Sequence, residues 1–62
     1  MKTTYDPKGD ALYVTLSGRP TVDSEEVSPG VVFDFDADSR IVGIELLNAK
    51  TRLAADALAA AE

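Results

Sequence analysis

The chain has 62 residues, enough for one domain (residues 1–62) but too few for a deep core, so a lone copy is expected to be marginally stable and to gain from association. It contains no cysteine and no histidine, which excludes disulfides and thiolate centres and removes the commonest zinc ligand. Eleven acidic and six scattered basic residues give a net charge of −5, the wrong sign for holding a phosphate backbone.

Lys2 to Tyr5 reads as a short strand that pairs with the next segment. Asp6-Pro7-Lys8-Gly9-Asp10 is a turn, because proline presets φ and Gly9 tolerates a positive φ. Ala11 to Leu16 alternates, with Leu12, Val14 and Leu16 on one face and Ala11, Tyr13 and Thr15 on the other. After the turn signal Ser17-Gly18-Arg19-Pro20, Thr21 to Val27 is mostly polar and fits an edge strand or an extended loop. Ser28-Pro29-Gly30 is the third turn. Val31 to Asp36 alternates again: Val31, Phe33 and Phe35 oppose Val32, Asp34 and Asp36, which puts the two acids on a solvent face. The fourth turn is Asp36-Ala37-Asp38-Ser39-Arg40. Ile41 to Leu47 is apolar on both faces, which calls for a central or covered position.

The period then changes. Asn48 is a suitable N-cap for a helix over about 49 to 61, in which Leu53, Ala54, Ala57, Leu58 and Ala61 share a face. The expected architecture is α+β: a small antiparallel β-meander of four to five strands over residues 2–47, with one C-terminal α-helix packed on a face. The N-terminal residues hold no apolar run of signal-peptide length, and no stretch approaches the ~20 apolar residues of a membrane span. A cytoplasmic protein is expected.

Three segments in this order and spacing carry a family resemblance: Tyr5-Asp6-Pro7 with Asp10-Ala11-Leu12-Tyr13; Glu26-Val27 with Pro29-Gly30-Val31; and Val42-Gly43-Ile44-Glu45. Over about residues 2 to 53 the chain resembles the small bacterial and archaeal proteins grouped as domain of unknown function 2283. The resemblance implies a compact strand-rich domain with no established activity and no catalytic residues to carry over. Through relatives held to be encoded beside small toxin-like proteins, it also implies an antitoxin-like binding role.

Few residues suggest chemistry. Asp34 to Glu45 matches part of a twelve-residue calcium loop, with Asp34, Asp36, Asp38 and Glu45 at the acidic positions. Ser39 stands where that loop needs glycine, and the flanks read as strands, so a plain hairpin is the expectation and the four acids are weak metal candidates. Asp34 or Asp36 with Glu45 is a thin case for acid–base catalysis in a domain too small to enclose a substrate, and neither enzyme activity nor a cofactor is expected. Asp6 and Asp10 read as turn acceptors, Gly43 as a bulge or a close backbone contact, and Tyr5 and Tyr13 as packing across the first hairpin. Two roles fit these features. One is a protein-interaction module for a small basic protein encoded nearby, an antitoxin-like role. The other is a homodimer closed through Ile41, Leu47, Leu53, Ala54, Ala57 and Leu58.

Overall fold

Period-2 alternation becomes a single antiparallel sheet in the computed structural model, which describes residues 1–60. The strands are β1 (Lys2–Asp6), β2 (Ala11–Thr15), β3 (Asp23–Ser28), β4 (Val31–Phe35) and β5 (Ile41–Leu47), followed by the short helices α1 (Ala49–Arg52) and α2 (Ala55–Ala59). Their order across the sheet is β1-β2-β5-β4-β3. The strand that is apolar on both faces takes the centre, and the polar segment takes an edge, as the sequence implies.

One neighbour pair is not sequential. β1 and β2 form a hairpin, and β3, β4 and β5 form a meander. β2 then pairs with β5, setting Leu12 opposite Leu46 and Val14 opposite Ile44. The segment from Leu16 to Val22 therefore spans the ends of β5 and β4 to reach the far edge. It is tied at both ends, by the Leu16 and Ser17 N–H groups donating to the Val42 carbonyl and by the Val22 N–H donating to the Phe35 carbonyl.

Paired residues share a face. One face carries Tyr5, Leu12, Val14, Val31, Phe33, Phe35, Ile44 and Leu46, and the other carries Thr4, Tyr13, Val32, Asp34, Glu45 and Glu26. Phe33 and Phe35 meet edge to face, with ring centroids 6.5 Å apart. Two bulges bend the sheet, at Val27 in β3 and at Val42 in β5.

The C-terminal segment differs from the expectation. The single helix over 49 to 61 is two short helices, because Leu53 and Ala54 are extended (ψ 148° and 149°). Alanine propensity rewards continuity by only tenths of a kcal/mol per residue, and no deep apolar seat holds a longer helix. α1 and α2 approach each other more extensively than either approaches a strand, so neither helix packs broadly on a face. The expected helical position Ala61 lies outside the described residues. Asn48 is no side-chain cap either. It adopts the left-handed conformation (φ 56°), and its side chain makes no cap bond. No helix among the described residues is long and apolar enough to cross a membrane.

The β4–β5 turn closes with the Ser39 N–H on the Asp36 carbonyl, and Ser39 takes φ 62°. This is the conformation that the glycine of a calcium loop would adopt, here carried by a residue with a Cβ. Ser39→Gly is therefore expected to stabilise the fold by about 0.5–1 kcal/mol, the left-handed penalty outweighing glycine's entropy. Urea titration of the two proteins checks this, and an unchanged midpoint would contradict it.

Candidate functional site

The polar face is organised around Asp34. The Tyr13 hydroxyl donates to Oδ2 at 2.5 Å, and the Ser24 hydroxyl donates to Oδ1 at 2.6 Å. The Tyr13 phenol reaches Asp34 by lying over Gly43, where a Cβ would stand 2.9 Å from Cζ and closer still to the hydroxyl oxygen. Gly43 thus marks a close contact, here with a side chain, and it borders the bulge at Val42. The hydrogen bond to Asp34, and then burial, raise the Tyr13 pKa above its ordinary value.

Tyr5 lies on the opposite face, so the two tyrosines do not pack together. Its hydroxyl donates to Asp10 Oδ1 at 2.8 Å, and this bond raises the Tyr5 pKa. The same Oδ1 accepts the Lys50 N–H at 3.1 Å, while the Asp10 carbonyl accepts the Ala49 N–H. Asp10 thus caps α1 from 40 residues away, in the role that sequence proximity suggests for Asn48. Asp6 is the turn acceptor expected, taking the Lys8 N–H at 3.0 Å. The Arg52 guanidinium lies over Gly30 and donates to the Pro29 carbonyl, anchoring the end of α1. With only two tyrosines and no tryptophan, phenolate absorbance reports both sites. Both are expected to ionise above the ordinary value, and Asp34→Asn and Asp10→Asn are each expected to bring one of them down. A wild-type curve at the ordinary value would overturn these two bonds.

At the other end of the sheet, Asp36 is buried. Its Oδ1 accepts the Asp38 N–H at 2.9 Å and the Arg40 N–H at 3.0 Å, and its Oδ2 pairs with Arg19 Nε at 2.9 Å. Asp36 does not point to solvent, nor is Asp34 free on the solvent face. Each is drawn in by donors that alternation does not reveal. Arg19 is the functional side chain that sequence reading misses. From the crossover it fastens the β4–β5 turn, and it also reaches Asp38 at 3.5 Å.

The calcium candidates are consequently dispersed. Asp34 faces Tyr13 and Ser24, Glu45 lies beside it on the polar face, Asp36 is turned into its own hairpin, and Asp38 is exposed on the turn. No group of three or more potential ligands converges among the described residues. The interface candidates are also spread out. Ile41 and Leu47 occupy opposite ends of β5, about 20 Å apart. Leu53 and Leu58 are half-buried, and Ala54 and Ala57 are exposed. A cleft of about 360 Å³ opens beside β3, lined by Val22 and Phe35 with Asp23 and Glu25. It joins apolar and anionic surface without a nucleophile held against a base.

The family model described as "Protein of unknown function (DUF2283)" matches residues 2–50. No curated protein and no solved structure matches the chain.

Proposed function

We propose that this chain, which belongs to the DUF2283 family of proteins of unknown function, is a protein-interaction module whose apolar sheet face closes against another polypeptide. The observation that carries this reading is an unfinished core. Among the described residues, Leu12 at 6% exposure and Val42 at 3% are the only large apolar side chains buried, and none is sealed below 2%. A sheet buries its apolar face only against a second layer, and two short helices supply little of one. The role is binding rather than catalysis. The polar face, with Glu26, Asp34 and Glu45, together with the net charge of −5, suits a small basic protein as eventual partner in a reducing cytosol, an antitoxin-like arrangement.

Co-expression with a small basic protein encoded beside it, with one chain tagged, tests the partner. A stoichiometric complex that weakens as salt rises is expected. Recovery of the tagged chain alone would sink the basic-partner reading.

A further inference from the structure

We infer that the occupant of the apolar face is a second copy of this chain, packed sheet on sheet about a two-fold axis running along β5, with each β3 edge over its partner's β1. The inference rests on the interaction reading above and names the polypeptide that closes the face.

Area is the first argument. One copy exposes 4232 Å², whereas a compact monomer of 6.6 kDa exposes about 3,900 Å². A compact protein of twice that mass exposes about 6,400 Å², so two copies that close into one body hide roughly 2,000 Å² between them. That is the area a stable interface buries.

Charge is the second. On the apolar side, the rows through β1, β2, β5 and β4 carry Thr3, Tyr5 and apolar residues without a single charge. The only strand charges on that side are Asp23 and Glu25, on the outer strand β3. A charge-free centre with a polar rim is what an identical face accepts, whereas a basic partner needs acids at the centre. The same charges choose the axis. A two-fold across the strands would lay β3 on β3 and bring four carboxylates together. A two-fold along the central strand lays β3 over β1 and sets Glu25 at the height of the partner's uncharged Thr3, because the two residues share a cross-strand row and the apolar face. Ile44, at the middle of β5, then meets its own copy across the axis.

The full-length chain, purified alone, provides the test. Light scattering after size exclusion is expected to give twice 6.6 kDa at micromolar concentration. The chain has no cysteine, so single thiols report cleanly. With a short bis-maleimide, Ile44→Cys is expected to cross-link to a dimer and Glu45→Cys, on the opposite face, is not. Thr3→Glu, which faces the partner's Glu25, is expected to weaken dimerisation about fivefold, and adding Glu25→Lys to restore it; both positions lie on the outer strands and leave the apolar centre untouched. A single-chain mass at hundreds of micromolar, or equal cross-linking of the two thiols, overturns the second copy. If such a monomer still binds the basic protein, the interaction reading survives without this inference; if it binds nothing, both fall.

Discussion

Replacing Gly43 by alanine is expected to cost about 2 kcal/mol and to lower the thermal midpoint by on the order of 10 °C. In most strands this change would help, since glycine loses about 0.5–1 kcal/mol to alanine through backbone entropy. Here the new methyl meets the Tyr13 phenol, 2.9 Å from Cζ, with the Val14 carbonyl 3.4 Å away on another side. The ring cannot swing aside freely. Its hydroxyl is held by Asp34, which is held in turn by Ser24, so relief costs those bonds as well as a rotamer. The account makes a second demand. In a Tyr13→Thr background the obstacle is gone, and Gly43→Ala should become neutral or slightly stabilising. The resulting coupling of about 2 kcal/mol, measured by urea unfolding of the four proteins, identifies the phenol as the cause. An equal loss in both backgrounds would place the strain in the β5 backbone instead.

This pair also marks where the sequence stops being legible. Turn spacing and alternation located four strands to within a residue or two and marked the segment of β3 as a strand or a loop, because turn chemistry and side-chain direction in a strand are local properties. Composition also narrowed β5 to a central or covered position and β3 to an edge strand or a loop, because burial on two faces or none leaves a compositional trace, and the sheet takes the first option each time. The crossover from β2 to β3 left no such trace. Its side-chain tie is Arg19 meeting Asp36, 17 residues apart, and each residue alone reads as an ordinary surface charge. The helix break at Leu53 and Ala54 escaped for the opposite reason. Helix propensity there is uniformly good, but the sheet offers no seat to reward continuity. Asp10 shows the same limit from the other side: a turn residue by sequence, it becomes a helix cap only once β2 and β5 are paired. What stayed hidden at the candidate site was therefore pairing across the sheet, while the residue types themselves were in plain view.

Asp36→Asn is expected to destabilise the fold at neutral pH and to remove much of its acid sensitivity. The Arg40 N–H bond comes first in holding the Asp36 carboxyl below the usual range; the Asp38 N–H and the Arg19 guanidinium add to it, and burial only partly opposes them. A depressed folded-state pKa fixes the sign. The carboxylate's contribution is fully present above the ordinary aspartate value near 4, where the unfolded chain titrates, and it is lost as pH falls below that value through the folded-state pKa. The gap in thermal midpoint between wild type and Asp36→Asn should thus be constant above about pH 5 and close toward pH 3. Asp36→Ala should be worse than Asp36→Asn at every pH above that window, because it also strips the acceptor from two turn N–H groups; a loss on the order of 10 °C is expected. Arg19→Gln should lose less, since both turn bonds survive it. The two Asp36 variants should also speed hydrogen exchange at the Leu16, Ser17 and Val22 amides, where the crossover is tied to β5 and β4. A pH-independent gap, or exchange that quickens only within the turn, would mean that Asp36 holds the hairpin and leaves the crossover to its own hydrogen bonds.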